Sequence, residues 1–281
     1  MDRVIYYFSG TGNTLFVARD IAKGLGASLV QIASLVDDSV ISIDSEVVGI
    51  VHPVYYGELP VIVREFAEKL NNLDGKYIFA VCTFGGSAGD SLRSLRKIIR
   101  SRGGELSATY GVHMPQNAFY KFWEKHQPLY RNWQQKKLKK VIRNTDARKT
   151  GDFFTNIVFD IIFKWIQAYV RPKYKQSFIK LSGASSDLSV EELIHLNDTS
   201  FYVTEECTGC GICARVCSVK NIAMAEGKPT WQHRCENCIA CYNFCPEKAI
   251  RNGIASEGYF YRHPDITVKD MIIRSGEVEK A

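Results

Sequence analysis

The chain has 281 residues, 46% of them hydrophobic, with nine cysteines and a net charge of +6. That size holds one large domain or a medium domain beside a small one, and the apolar content sustains a packed core, which excludes a disordered chain. No apolar run reaches the roughly 18 residues of a spanning helix, and the run after Met1 is too short for a secretion signal, so a soluble, cytoplasmic protein is expected.

Taken in chain order, the first part alternates short apolar strands with helical stretches. Strands are expected at Arg3–Phe8, Ser28–Ile32, Glu46–His52, Lys76–Thr83 and Glu105–Val112. Helices are expected at Asn13–Lys23, Pro60–Leu70 and Ser87–Ser101. Strand–helix alternation of this kind predicts an α/β fold with a doubly wound, five-stranded parallel sheet. From Lys121 to Lys149 basic residues face only Glu124 and Asp146, and Trp133–Arg148 reads as a solvated basic helix face. Its charge suits an acidic partner or an anionic substrate. It lacks any motif for nucleic acid. Asp152–Val170 carries large apolar residues at helical spacing. Three roles suit such a helix: packing on the sheet or between domains, which is favoured; a homodimer face; or a membrane surface, against which Asp160 and Lys164 argue. Leu181–Asp198 is a connector with a short helix, opened by Ser189 and Glu192 at capping-box spacing. A further short helix is expected near Ile266–Ile273.

Three loops carry the first chemistry. Ser9-Gly10-Thr11-Gly12-Asn13-Thr14 links the first strand to a helix. Glycines there admit close backbone approach, the helix start favours an anion, and Ser9, Thr11, Asn13 and Thr14 add side-chain donors. No lysine follows, so it is not a Walker A loop, and Leu15 occupies the place of the third glycine of the dinucleotide fingerprint. A charge-neutral, hydroxyl-rich cradle suits the monophosphate of FMN; an adenine dinucleotide is the alternative, and an ordinary polar turn is the bland one. With this loop, residues 1–115 resemble the flavodoxin family. The resemblance implies FMN in a crevice beside the first and third strands. It also implies two more cofactor loops: Pro53, Val54, Tyr55, Tyr56 and Gly57 after the third strand, and Thr83, Phe84, Gly85, Gly86 and Gly89 after the fourth. Tyr55 or Tyr56, and Phe84, are the expected ring neighbours. The segment His113–Phe122 is a candidate lid, with His113 and Tyr120 as residues to test for proton donation.

Eight cysteines lie between positions 207 and 245. Cys207, Cys210 and Cys213 stand two residues apart, with Cys217 three residues on; Cys235, Cys238, Cys241 and Cys245 repeat the spacing. Zinc favours separated Cys-x-x-Cys pairs and fits this poorly, and a disulfide framework suits an exported protein. Three thiolates from one tight loop suit three corners of an iron–sulfur cube. The stretch 200–255 resembles two-cluster bacterial ferredoxins, in which the fourth cysteine of each run ligates the other cluster. That resemblance implies one [4Fe–4S] cluster on Cys207, Cys210, Cys213 and Cys245, and another on Cys235, Cys238, Cys241 and Cys217. Pro246 matches the ferredoxin pattern; Ser218 departs from it. Cys82 is expected to be a small buried hydrophobe, and His233 a surface loop residue.

The resulting expectation is a flavodoxin–ferredoxin fusion. Residues 1–180 form an FMN-binding domain with a helical insertion at about 121–180, 181–199 a linker, 200–256 a small α+β ferredoxin domain with two clusters, and 257–281 a tail. Such a chain relays electrons between its clusters and FMN, exchanging them with donor and acceptor oxidoreductases. The alternative is a reductase whose flavin acts on a bound substrate.

Overall fold

A computed structural model of the protein describes residues 2–116, 127–154, 157–273 and 279–280. Five strands form the centre of its main sheet: β1 (Arg3–Tyr7), β2 (Ser28–Gln31), β3 (Val47–Pro53), β4 (Tyr77–Phe84) and β5 (Leu106–His113). They pair in parallel in the order 2-1-3-4-5. The expected count of five is corrected to seven. β6 (Gly151–Asp152) adds in parallel beside β5, and β11 (Glu279–Lys280) adds antiparallel beside β2. Two-residue strands carry no periodicity that a sequence reading can detect.

Alternation along β1 shows how the sheet makes two cores. Ile5 and Tyr7 face one layer; Val4, Tyr6 and Phe8 face the other. The first layer is closed by α1 (Asn13–Leu25) and α4 (Gln127–Asp146), the second by α2 (Val61–Lys69) and α3 (Ser91–Ser101). α1 ends where Gly26 turns left-handed.

The basic stretch is not simply a solvated face. On α4, Gln134, Leu138, Val141 and Asn144 are buried, and Ile142 packs where Gly24 leaves room on α1. Lys136, Lys139 and Lys140 mark the outer side of a helix that covers the sheet, while Lys137 reaches inward to donate to Gly111 O at 3.1 Å. Leu138→Ala is therefore expected to cost about 2–5 kcal/mol, through lost burial and a cavity. Lys139→Ala, on the exposed side, should stay within about 0.5 kcal/mol of the parent. Urea unfolding of both variants checks this.

The helix expected at 152–170 instead runs as α5 from Ile157 to Ser182, through Pro172. Phe153 and Phe154 precede it. Phe153 stacks on Tyr110 at 5.2 Å, and Phe154 meets Phe84 edge-on at 5.6 Å. Trp165 and Tyr169 are 77% and 68% exposed, so that part of the apolar stripe does not enter the core. The later half does pack: Tyr174 and Phe178 close on Tyr56, and Phe178 is buried. Arg171 ties α5 to the loops after β3 and β4 through Glu58 and Asp90.

α6 (Val190–Leu196) opens with the expected capping box: Glu192 N donates to Ser189 Oγ at 3.2 Å, and Ser189 N donates to Glu192 Oε2 at 2.7 Å. Beyond it lie β7 (Tyr202–Val203), α7 (Ile212–Arg215), β8 (Ile222–Ala225), β9 (Lys228–Trp231), α8 (Ala240–Phe244) and β10 (Ile250–Arg251). β8 pairs with β9 and β10 with β7, both antiparallel. The sequence repeat is also a backbone repeat. Gly209, Gly211 and Lys220 have positive φ, and so do Asn237, Ile239 and Lys248 at the equivalent positions. α9 (Val268–Met271), with its own capping box, lies where the tail helix is expected. Val216, Ala240, Phe244, Ile266 and Met271 join the core of the first layer, so the C-terminal part shares that core. Among the described residues no helix is long and apolar enough to cross a membrane.

Candidate functional site

A crevice of about 280 Å³ opens at the C-terminal ends of β1, β3 and β4, the place where open α/β sheets bind ligands. All sixteen predicted crevice residues line it except Gly12 and Gly89. Gly12 has φ 94, and a Cβ there would lie 2.9 Å from Ile266. Gly89 has φ 54 and lies against the Gly57 backbone. Both shape the loops from behind.

The cradle is rigid. Gly12 N donates to Ser9 Oγ at 3.1 Å, and the Thr14 and Thr83 hydroxyls share a hydrogen bond at 2.8 Å. Asn13 differs from expectation. Its amide donates to Pro115 O at 2.9 Å and accepts from Tyr261 Oη at 2.8 Å, so it braces the loop and is not a spare donor. The groups that could donate to an anion are the first-turn N–H groups of α1, at Asn13, Thr14 and Leu15, which have no carbonyl one turn back to bond. Their geometry and the Ser9 hydroxyl fit a monophosphate.

Of the expected ring neighbours, Tyr56 is held by Tyr174 and Phe178 at 5.2 and 4.7 Å, and takes a left-handed φ of 53. Phe84 packs on His113 at 5.2 Å. Tyr55 meets Phe8 edge-on at 6.0 Å, and burial lifts its hydroxyl pKa well above the ordinary range. Met114, Pro115 and Gln116 reach the crevice from the candidate lid; the rest of that segment, with Tyr120, lies outside the described residues. Burial lowers the pKa of His113.

Several site residues carry no sequence signal. Ile166, Val170 and Tyr174 of α5 roof the crevice, and Asn237 and Ile254 close it from the cysteine-rich part. The tail clamps it: His263 N donates to Thr11 O at 2.9 Å, and Tyr259 Oη to Gln116 O at 3.2 Å. These segments lie far along the chain, and no local pattern announces their return.

Cys207, Cys210, Cys213 and Cys245 line one opening together. Burial pushes the Cys213 thiol up to about 11, and the neighbouring charges that add to it belong to Cys210, Cys245 and Cys207. Burial also raises Cys235, Cys238 and Cys241, with Cys217 among the charges acting on each. Each group thus draws three thiols from one repeat and one from the other. Backbone N–H groups of Asn221, Asn237 and Ala249 point at Cys217, Cys235 and Cys245 Sγ at 3.2–3.3 Å. Four sulfurs crowded at low dielectric ionise together only around compensating positive charge. Among the described residues, no three His, Cys, Asp or Glu side chains gather around a single-ion position. Thiols in fours could supply the donors of a metal group larger than one ion. Asp198 supports one loop, accepting from Asn221 Nδ2 at 2.8 Å and lying 2.7 Å from Nδ1 of His233, which is exposed, as expected of a surface loop residue. Cys82 is fully buried and its thiol is pushed up to about 12, as for a small core residue.

His52, at the end of β3, is fully buried, and burial lowers its pKa to about 4 from an unfolded value near 6.5. Above pH ~6.5 both states are neutral. As pH falls from there toward 4, the unfolded chain binds the proton first and stability drops, by a few kcal/mol in order of magnitude. His52→Asn should flatten that slope in urea midpoints measured across the window; an unchanged slope would contradict the assignment.

A family model described as a flavodoxin domain matches residues 4–127. Solved structures are similar at low identity. A flavodoxin of Streptococcus pneumonia TIGR4 is 16% identical, covers 52% of this chain and 98% of its own, and has a TM-score of 0.37. Flavodoxin 1 of Bacillus cereus is 14% identical, covers 53% and 97%, and has a TM-score of 0.37. An NADH:FMN oxidoreductase is 14% identical, covers 53% and 90%, and has a TM-score of 0.39. No curated protein matches the chain. The N-terminal part is a flavodoxin-like α/β domain.

Proposed function

We propose that this chain, with its flavodoxin-like N-terminal domain, is an electron relay that joins an FMN in the crevice to two [4Fe–4S] clusters on the cysteine quartets. The observation that carries this reading is the contact between the two sites. A methyl added to Gly10, in the phosphate cradle, would fall 2.6 Å from Cys238 O. FMN supplies a centre that exchanges one or two electrons, and each cluster one that exchanges single electrons.

The chain's own groups do the rest. The α1 start and Ser9 hold the phosphate. Pro53–Gly57 and Thr83–Gly86 bound the ring site, while Ile166, Val170 and Tyr174 keep water from one side of it. The N–H groups on Cys217, Cys235 and Cys245 stabilise negative charge at sulfur. Cys207, Cys210, Cys213 and Cys245 hold one cluster; Cys235, Cys238, Cys241 and Cys217 hold the other. Donor and acceptor proteins are the partners.

The roof from α5 also supports a second reading, a reductase acting on a small molecule held over the flavin. Anaerobic titration with dithionite tests the relay. Uptake of about four electrons per chain is expected, one per cluster and two at the flavin. Uptake of two, with only flavin absorbance changing, would overturn the cluster part. Rapid reoxidation by one-electron carrier proteins favours the relay; reoxidation by small organic acceptors alone favours the reductase.

A further inference from the structure

The two thiol quartets stand differently toward the crevice. Cys207, Cys210, Cys213 and Cys245 line an opening of their own that shares no residue with the crevice, and Cys210 is exposed. The loop bearing Cys235 and Cys238 instead forms a wall of the crevice through Asn237. A Cβ at Gly10 would lie 2.6 Å from Tyr55 Oη and 3.1 Å from Cys238 Cβ. The cradle, Tyr55 and Cys238 thus meet in one seam.

Tyr55 borders the crevice from within that seam. Its hydroxyl is buried and has no hydrogen-bond partner among the described residues. A buried hydroxyl left so costs stability unless a bound group accepts its proton. A buried ring whose hydroxyl and the Cys238 side chain both border Gly10 suits a tuning role, since hydrogen bonds to sulfur set cluster potentials.

We infer that Tyr55 donates its hydroxyl hydrogen bond into the sulfur shell held by Cys217, Cys235, Cys238 and Cys241, and that this quartet is the flavin's electron partner while the Cys207 quartet faces the external protein. The inference rests on the proposed two-cofactor reading. One electron passes between that cluster and the flavin, matched by one exchanged between the exposed quartet and a one-electron carrier protein. Tyr55 keeps its proton and forms no covalent bond; it is a positioning residue.

The test uses the full chain, purified without oxygen, as parent, Tyr55→Phe and Cys210→Ser. Iron and flavin are counted, then both cluster signals are followed by electron paramagnetic resonance through a potentiometric titration. Cys210→Ser alters the signal of the exposed quartet and so identifies it. Tyr55→Phe is expected to keep full iron and to lower the potential of the other signal alone, because a donor to sulfur has gone. If Tyr55→Phe moves neither signal, or moves the one that Cys210→Ser alters, the inference is overturned while the relay reading stands. A parent preparation without iron or without FMN overturns both.

Discussion

Gly89→Ala is expected to destabilise the protein by about 3–5 kcal/mol and to abolish tight FMN binding, because two causes act together. Gly89 has φ 54, a left-handed conformation that strains an L side chain. Its new Cβ would also lie 2.0 Å from Gly57 O and 2.6 Å from Gly57 Cα, inside the backbone of the neighbouring loop. No rotamer change relieves a clash with backbone. The loops would have to part, breaking the 2.8 Å hydrogen bond from Asp90 N to Gly57 O and moving the Asp90 carboxylate that Arg171 holds. Gly103→Ala separates the two causes. Its φ is 81, with nothing within 4 Å of the added methyl, so strain alone, about 1–2 kcal/mol, is expected. Denaturant unfolding of both variants measures the gap. Equal losses would mean that the close approach of the two loops is absent.

Cys245→Ala should expose the wrong half of the repeat, if each run of cysteines served itself. Cys245 lies in the second run, yet it lines one opening with Cys207, Cys210 and Cys213 of the first. Its loss is expected to free Cys207, Cys210 and Cys213 for alkylation and to remove about half of the iron, since a cubane takes four cysteines. Cys217, Cys235, Cys238 and Cys241 should stay protected, because Cys217 completes the second group. Cys217→Ala should give the reverse pattern. Peptide mapping after brief treatment with iodoacetamide reads this directly. Exposure of Cys235, Cys238 and Cys241 in Cys245→Ala would contradict the exchange of fourth ligands. The effect is large because removing one thiolate leaves the other three, of which Cys210 is exposed, without the group they share.

Particular residues explain which features were legible beforehand. The strands of the five-stranded centre are short apolar runs bounded by turn residues, and each lies within one residue of its expected bounds at either end. The cradle was visible because glycines and hydroxyls cluster where a strand meets a helix. The cysteine repeat was visible because ligand spacing is local. Long-range returns were not. Asn13 looks like a free donor until Pro115, 102 residues later, accepts from its amide nitrogen and Tyr261 donates to its amide oxygen. α4 looks solvated because a helix needs only one buried stripe, and Gln134, Leu138 and Val141 are sparse among lysines. The end of α5 was misplaced because Pro172 reads as a breaker, although the helix continues to Ser182. Tyr55 and Tyr56 were interchangeable in sequence. Only packing separates them: Tyr56 turns toward α5, and Tyr55 toward Cys238.

The most direct measurement is a count of iron, acid-labile sulfide and flavin on the chain purified and kept without oxygen. About eight irons, about eight sulfides and about one FMN per chain are predicted, from two cubane clusters and one phosphate cradle. A single zinc, with no sulfide and no flavin after reconstitution, would contradict the account.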